Sequence, residues 1–153
     1  MSDIIIALDI SLRETGYAIK TEQGEIITGT IKTPKIIKDF ERAKYQSDKI
    51  NNLISKYYKQ GKTKIAIEGY SFGSNTNTLT QIAELVGIVK YHVYYNDYEV
   101  IPPTVIKKYI TGKGNAKKDI VMMKIYKKWG REFGNNNEAD AFGLLKYIEA
   151  KYE

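Results

Sequence analysis

Cysteine is absent from this chain of 153 residues, and histidine occurs only once. These absences exclude disulfide bonds, zinc sites built on thiolates and cysteine nucleophiles. The sequence also has no apolar run long enough to cross a membrane and no N-terminal signal segment, which predicts a soluble protein of the cytoplasm with no membrane partner. Hydrophobic residues make up 42% of the chain, enough to bury one core, and we expect residues 1–153 to form one domain.

Acidic residues are outnumbered, because 18 Asp and Glu stand against 24 Lys and Arg, for a formal net charge of +6. A basic surface favours a polyanionic partner, since lysines that neutralise phosphates release condensed counterions. Arginine occurs only at Arg13, Arg42 and Arg131, so most of the charge is lysine, which lacks the bidentate fork that reads guanine. Nucleic acid recognised by shape is the leading partner; a surface that only keeps the protein soluble is the alternative.

Two apolar runs, at residues 4–8 and 64–67, are too short for helices and are typical of strands buried on both faces of a sheet. A helix precedes the second run, so the crossover should make its strand parallel to the first. The other predicted elements are strands at 15–20 and 25–30 with Gln23-Gly24 between them, a strand at 98–101 closed by Pro102-Pro103, and helices at 39–60, 79–93, 117–128 and 138–152. The order βββαβαβαα predicts an α/β fold with a five-stranded mixed sheet, three antiparallel strands plus two parallel, flanked by helices.

An amphipathic pattern predicts the helix at 39–60, with Asp39 placed to cap it and Gly61 to stop it. Its apolar or small positions recur three and four residues apart, at Phe40, Ala43, Ser47, Ile50, Ile54 and Tyr57. We expect this face to pack against the sheet.

Each buried run ends at a carboxylate, the first at Asp9 and the second at Glu68. If the two strands are parallel neighbours, these acids lie together at the carboxyl ends, where open α/β sheets place their sites. Like charges so close favour a bound cation, and oxygen ligands select hard ions such as Mg²⁺ or Mn²⁺. Glu138 and Asp140 begin the last helix and could dock on the same edge. The ordinary alternatives are a turn residue, a strand end and a helix-start acid.

Such an acidic centre is suited to cleaving phosphate backbones. Two Mg²⁺ ions about 4 Å apart can activate water on one side of a phosphodiester and stabilise the leaving oxygen on the other. Actin-like ATPases are the rival enzyme class, because their first strand also ends in an Asp followed by a hairpin with Thr and Gly. The chain, however, holds one domain and no second glycine-rich phosphate loop.

Six segments along most of the chain follow an order typical of one family. They are Ile6-Ala7-Leu8-Asp9 with Thr15-Gly16-Tyr17; Ile65-Ala66-Ile67-Glu68; Leu85-Val86-Gly87; Pro103 with Val105-Ile106-Lys107; the segment 111–118, TGKGNAKK; and Asp140-Ala141-Phe142. The most specific is 111–118, which is similar to a Gly-x-Gly-x-Ala-x-Lys segment. With them, the chain resembles the RuvC family of Holliday junction resolvases in the ribonuclease H-like superfamily, particularly its small phage-type members.

The resemblance implies a ribonuclease H-like fold, a homodimer, and an Mg²⁺-dependent crossover junction endodeoxyribonuclease that makes paired incisions in branched DNA, in the host cytoplasm if the chain is phage-encoded. By position it implies that Asp9, Glu68 and Asp140 hold two Mg²⁺ ions, which Mn²⁺ can replace. The implied DNA contacts are Lys107 and Lys118 near the scissile strand, Lys113 and Lys117 beside them, and Tyr70 and Phe72, of which Phe72 is favoured to stack on or wedge an unpaired base.

Two positions depart from the family's pattern. Ile10-Ser11 follow Asp9 where cellular relatives usually carry Pro-Gly, which we expect to alter only the turn. The family commonly has an acid or His three residues before its last Asp, and here that position is Asn137, with Glu138 only two before. Residues three apart share a helix face and residues two apart do not. We take Glu138 as the fourth acid, reoriented by the turn before the helix, with Asn137 as the alternative.

Two other functions stay open from the sequence. A non-catalytic protein that binds branched DNA would retain the basic surface with a vestigial site, and Asn137 in place of an acid is the feature that favours it. A ribonuclease H-type nuclease of RNA–DNA hybrids would share the acidic centre. Cleavage assays on junction, fork, duplex and hybrid substrates distinguish the three.

Overall fold

The computed structural model describes residues 3–70 and 76–153, which contain five strands and five helices. In chain order they are β1 (Ile4–Asp9), β2 (Glu14–Lys20), β3 (Ile26–Lys32), α1 (Phe40–Tyr57), β4 (Thr63–Glu68), α2 (Thr76–Val93), β5 (Tyr98–Ile101), α3 (Pro103–Thr111), α4 (Lys118–Trp129) and α5 (Asn136–Tyr152). Apart from α3, which the sequence did not predict, the predicted bounds agree with these to within three residues.

The strands form one five-stranded sheet in the order β3-β2-β1-β4-β5. β1 pairs antiparallel with β2 and parallel with β4, while β2 and β3 are antiparallel and β4 and β5 parallel. The predicted mixed sheet is confirmed, and so is the parallel pairing of the two apolar runs. The hairpin turn between β2 and β3 needs Gly24, whose φ of 84° lies in the left-handed region.

Helices cover both faces of the sheet, which is why its central strands are apolar throughout. Ile4, Ile6 and Leu8 of β1 pack in one core with buried residues of α1 and α2. Ile5 and Ala7 pack in the other core with buried residues of α3, α4 and α5. Because side chains alternate along a strand, every second residue after Ala7 faces the second core.

A helix that the sequence pattern did not predict, α3, follows β5 directly. We expected Pro102-Pro103 only to close the strand, but Pro103 occupies the first helical position, where its missing N–H is not needed. Gly112, with a φ of 87°, ends the helix in the left-handed conformation. Only Ile106 and Ile110 of α3 are buried, so the apolar periodicity was too brief to recognise.

The first helix is shorter than predicted, because α1 ends at Tyr57 and Gly61 lies in the turn before β4. Asp39 precedes the helix, but its side chain makes no capping hydrogen bond and its φ is 52°. Phe40, expected on the buried face, is 55% exposed. Within the described part of the chain, no helix is both long enough and apolar enough to cross a membrane.

Candidate metal centre

Two acids lie side by side where β1 and β4 end. The parallel register pairs Leu8 with Ile67, so the next residues, Asp9 and Glu68, meet at the same edge of the sheet. Asp9 follows Ala7 by two positions and Glu68 follows Ala66 by two, and both alanines belong to the core beneath α3, α4 and α5. The period of two therefore directs both carboxylates to the face that these helices cover.

α5 brings the third acid, Asp140, to the same place. Asp9, Glu68 and Asp140 each offer a carboxylate oxygen, and these three atoms lie within 4.8 Å of one another. The predicted meeting of two strand ends and the last helix is therefore observed.

Burial and mutual repulsion hold protons on these acids. Burial raises the pKa of Asp9 well above its usual value, and the negative charges of Glu68 and Asp140 raise it further. Burial, followed by the charge of Asp140, raises the pKa of Glu68 to about 7. Burial also raises the pKa of Asp140, although the charges of Lys118 and Lys107 oppose the shift. Without a cation, the ionised cluster is destabilising.

A divalent cation fits this cluster. The buried Oε2 of Glu68 has no hydrogen-bond partner among residues 3–70 and 76–153, which leaves a buried lone pair for a ligand. The cluster contains no His, and its donors are carboxylate oxygens, the set that hard ions such as Mg²⁺ and Mn²⁺ prefer. These three acids could therefore hold a metal ion.

The acids line a cavity of about 250 Å³ that also carries two lysines. Lys107 projects from α3 and Lys118 is the first residue of α4. Both positive charges lower the pKa of Glu68, so they act on the cluster electrostatically. Neither forms an ion pair with a carboxylate within the described residues. The cavity thus combines a site for a cation with cations that can meet a phosphate.

Hydrogen bonds hold the start of α5 against the start of β2. Asn135 caps the helix, its Oδ1 accepting from the backbone N–H groups of Asn137 at 2.8 Å and Glu138 at 3.2 Å. The Nδ2 of Asn135 donates to Oε2 of Glu14 at 2.6 Å. The Nδ2 of Asn137 donates to the backbone oxygen of Glu14, also at 2.6 Å. The first turn of α5 is therefore tied to the sheet.

Gly16 lets the backbone of α5 touch the sheet beside Asp9. Gly16 pairs with Asp9 in the β1–β2 register, and a Cβ at Gly16 would lie 2.0 Å from the backbone oxygen of Asn137. Only glycine permits this approach, which brings Asp140, one turn further along α5, towards Asp9. Two sequence signals indicate this contact, a glycine inside a strand and the capping pattern Asn135-x-x-Glu138.

Glu138 lies away from the three acids. Its Oε1 accepts a hydrogen bond from Oγ1 of Thr28, in β3, at 2.7 Å. Asn137, three residues before Asp140, lines the cavity with it, as helix geometry requires of residues on one face. The structure therefore does not bring Glu138 to the cluster, and the alternative, Asn137, occupies the position beside it.

Comparison with known proteins assigns the family. The family model "Crossover junction endodeoxyribonuclease RuvC" matches residues 5–144. The chain belongs to the RuvC family. RuvC of Brachyspira hyodysenteriae (strain ATCC 49526 / WA1) is 28% identical over 147 residues, covering 92% of this chain and 90% of the relative. RuvC of Rickettsia bellii (strain OSU 85-389) is 28% identical over 156 residues, covering 92% and 93%.

Solved RuvC structures share the fold. Thermus thermophilus RuvC in complex with a Holliday junction substrate gives a TM-score of 0.72 at 14% identity and covers 93% of this chain and 90% of that one. A second Thermus thermophilus RuvC structure gives 0.71 at 15% identity, with coverage of 97% and 96%. The predicted ribonuclease H-like fold is therefore confirmed.

The remaining predicted DNA contacts of this RuvC-family chain lie around the cavity or outside the described residues. Tyr70 lines the cavity and is 41% exposed. Phe72 lies outside the described residues. Lys113 and Lys117 are exposed between α3 and α4 and do not line the cavity.

Proposed function

We propose that this RuvC-family chain is a structure-selective endodeoxyribonuclease that hydrolyses phosphodiester bonds in Holliday junctions or related branched DNA. The observation that carries the proposal is the convergence of Asp9, Glu68 and Asp140 in one cavity with Lys107 and Lys118. The matched family model and the curated relatives bear the name crossover junction endodeoxyribonuclease, which supports the same substrate class.

The cofactor in this proposal is Mg²⁺, two ions per centre, which Mn²⁺ can replace. When bound, the ions would supply an activated water and stabilise the leaving oxygen. Asp9, Glu68 and Asp140 would hold them, and the buried Oε2 of Glu68 is a free ligand atom for this purpose. The fourth ligand stays a prediction between Glu138 and Asn137. Asn137 is favoured, because it lines the cavity and its Nδ2 donates to Glu14, which leaves its Oδ1 for an ion, whereas Glu138 accepts from Thr28.

The lysines would position the DNA and oppose charge at the reacting phosphate. Lys107 and Lys118 line the cavity without a carboxylate partner in the described ranges, so their charge is available to a phosphate. Tyr70, at the exposed mouth of the cavity, can stack on a base displaced at a branch. Phe72, Lys113 and Lys117 stay predictions as DNA contacts.

Paired incisions require two copies of the chain. Residues 3–70 and 76–153 contain one acidic cluster of this kind, whereas a four-way junction presents two related strands to cut. A homodimer with two-fold symmetry would place one centre on each strand. The phage-type assignment and the cytoplasmic location stay predictions.

A cleavage assay with a matched control tests the proposal. Wild type, Asp9→Asn and Asp48→Asn would be incubated with an immobile four-way junction, a fork, linear duplex and an RNA–DNA hybrid, with Mg²⁺ or EDTA. The control, Asp48→Asn, removes an exposed acid of α1. We expect the wild type and this control to cut the junction or fork only with Mg²⁺, and Asp9→Asn to be inactive. Equal cutting by Asp9→Asn would contradict the assigned centre.

Two other outcomes would replace the proposed function. Preferential cutting of the hybrid would indicate a ribonuclease H-type enzyme, and tight junction binding by the wild type without any cutting would indicate a binding protein. Light scattering of the free protein measures the dimer directly, and a cruciform plasmid linearised in one binding event would show paired incision.

A further inference from the structure

The β3–α1 loop, residues 33–39, leaves the sheet at the same edge as the metal centre. Lys32, the last residue of β3, pairs with Glu14 at the start of β2, and Gly16 of β2 pairs with Asp9. Adjacent strands lie about 4.8 Å apart, so the loop begins roughly 10 Å to the side of Asp9.

Hydrogen bonds to Arg13 fix the first half of this loop. The Nη1 of Arg13 donates to the backbone oxygens of Pro34 at 3.2 Å and Ile37 at 3.0 Å. The backbone N–H of Ile37 donates to the oxygen of Pro34 at 3.0 Å, which closes a turn, and the N–H of Thr33 donates to the oxygen of Arg13 at 2.8 Å. Arg13 therefore stabilises the conformation of the loop.

The second half is fixed where the loop enters α1. Asp39 has a φ of 52°, in the left-handed region that non-glycine residues seldom adopt. Its backbone oxygen accepts from the backbone N–H of Arg42 at 3.1 Å and from Nε of the same residue at 3.2 Å. A strained residue persists only where its surroundings hold it, so the loop is ordered before any partner arrives.

This ordered loop displays an apolar side chain between lysines. Ile36 is 87% exposed, and Lys35 and Lys38 beside it are exposed as well. The sequence has no acidic residue between Glu25 and Asp39. No carboxylate in the described ranges forms an ion pair with Lys35 or Lys38. A single exposed isoleucine would need no explanation, but one that lies between two lysines without ion pairs in the described ranges offers an apolar contact and two positive charges to a phosphate backbone. The groove between this loop and α1 also contains Lys44 and the acids Asp39, Glu41 and Asp48.

We propose that the β3–α1 loop is a second DNA-binding element, in which Lys35 and Lys38 bind the phosphate backbone of the duplex arm next to the cleaved strand and Ile36 packs on the deoxyribose between them. The inference rests on the proposed function. The phosphates of the two DNA strands face each other across a major groove about 12 Å wide. If one DNA strand lies at Asp9, the loop about 10 Å to the side can therefore contact the phosphates of the other strand. Because the loop is already ordered, binding costs little conformational entropy.

The test compares two double variants that remove equal charge. Lys35→Ala/Lys38→Ala removes the loop lysines, and the control Lys49→Ala/Lys56→Ala removes two exposed lysines further along α1. Binding of an immobile junction would be measured by fluorescence anisotropy at several salt concentrations, with EDTA so that the DNA stays intact. Each lost phosphate contact should reduce the slope of log K against log salt by about 0.9. We expect a reduction near 1.8 and about tenfold weaker binding for the loop variant, and wild-type values for the control.

Ile36→Ser tests the apolar contact separately. We expect about threefold weaker junction binding with an unchanged salt slope and an unchanged Tm, because Ile36 contributes little to the core at 87% exposure. Wild-type affinity for this variant would overturn the contact assigned to Ile36.

The proposed function and the loop can fail independently. Junction cleavage by wild type with Mg²⁺, together with equal salt slopes for the two double variants, would overturn the loop assignment alone. Wild-type DNA binding by the loop variant with a changed mass in light scattering would also overturn it, by making the loop a contact between copies. A wild type that binds no branched DNA would overturn both.

Discussion

At the amino-terminal edge of the parallel strands lysines lie against carboxylates. At the carboxyl-terminal edge three acids cluster together, and Lys107 and Lys118 beside them form no ion pair within residues 3–70 and 76–153. The ion pairs of the first edge join Lys20 and Lys146 to Glu149, Lys59 and Lys62 to Glu22, Lys64 to Asp97 and Glu99, and Lys151 to Glu99. Lys62 also pairs with Asp3. The distances range from 2.6 Å for Lys151 with Glu99 to 4.0 Å for Lys62 with Asp3, apart from the very close contact between Lys59 and Glu22. Each edge has a cavity, of about 170 Å³ at the first and about 250 Å³ at the second.

The amino-terminal edge contributes to stability, and the carboxyl-terminal edge carries the candidate functional site. Each of these lysines at the amino-terminal edge has a carboxylate partner within the chain, so ion pairing there contributes to stability. At the other edge, burial raises the pKa values of Asp9, Glu68 and Asp140, and such sites are where binding and catalysis concentrate. Substitutions at the carboxyl-terminal edge should therefore reduce activity, whereas those at the amino-terminal edge should affect only stability.

The largest expected effect is the loss of a metal ligand. Asp140→Asn should lower the rate of junction cleavage by about a thousandfold or more, because removing one preorganised electrostatic group already costs about 10²–10³ in rate. Glu22→Gln, the matched change at the amino-terminal edge, should leave the rate within about twofold. Single-turnover cleavage measures both, and a comparable loss in Glu22→Gln would break the contrast between the edges.

The contact between Gly16 and α5 should be next in size. In Gly16→Ala the new Cβ would lie 2.0 Å from the backbone oxygen of Asn137, which must move α5 and Asp140 with it. Overpacking of this kind typically costs about 1–3 kcal/mol, and we expect weaker Mn²⁺ binding, measured by electron paramagnetic resonance. The control is Gly87→Ala in α2, where a Cβ would meet nothing within 4 Å; it should gain up to about 1 kcal/mol. Unchanged Mn²⁺ affinity in Gly16→Ala would refute the positioning role.

A smaller effect is expected from the unpaired lysines. Lys118→Ala should slow cleavage by about tenfold, less than a ligand substitution, because an exposed lysine is partly screened by salt. Lys62→Ala removes the same charge from an ion pair with Glu22 at 2.8 Å and should slightly lower the free energy of unfolding without altering cleavage. Equal cleavage rates in the two variants would remove Lys118 from the site.

The pH dependence of stability should be the subtlest difference. Because the pKa values of the acids at the metal centre are raised, the folded metal-free protein binds more protons than the unfolded chain between about pH 4 and 7. The free energy of unfolding of the metal-free protein should therefore fall as pH rises through that window. Hydrogen bonds from Lys59 and Lys62 lower the pKa of Glu22 to about 2, so its contribution is present above its ordinary value of 4.5 and is lost as pH falls towards 2.

Urea unfolding between pH 2.5 and 8 checks both windows. Asp9→Asn should flatten the fall between pH 4 and 7 and stabilise the metal-free protein at neutral pH, and added Mg²⁺ should do the same for the wild type. Glu22→Gln should alter only the acidic limb. A wild type whose stability rises from pH 5 to 7 in EDTA would contradict the assigned shifts.

Much of the sheet and two of the three acids of the metal centre could be predicted from local sequence patterns. The runs at 4–8 and 64–67 had to be buried strands because they are apolar throughout and too short for helices. The helix between them made the strands parallel, and each run ends at an acid, so Asp9 and Glu68 had to meet. These inferences need only the period of two and the handedness of the crossover.

Two other features were not predicted from local patterns. α3 buries only Ile106 and Ile110, so its pattern was too weak to oppose the reading of Pro102-Pro103 as a strand end. The conformation of Asp39 depends on the β3–α1 loop and on Arg42, which no helix-capping rule contains.

The acids of the last helix show most clearly what the sequence determines and what the tertiary structure determines. The sequence by itself determined that Asn137 and Asp140, three residues apart, share a face of α5 and that Glu138 does not share it with Asp140. Only the tertiary structure decided which face meets the sheet, because the rotation of a helix about its axis is set by what it packs against. Here the backbone contact at Gly16 and the hydrogen bonds of Glu14 fix that rotation, directing Asp140 to the metal centre and Glu138 to Thr28.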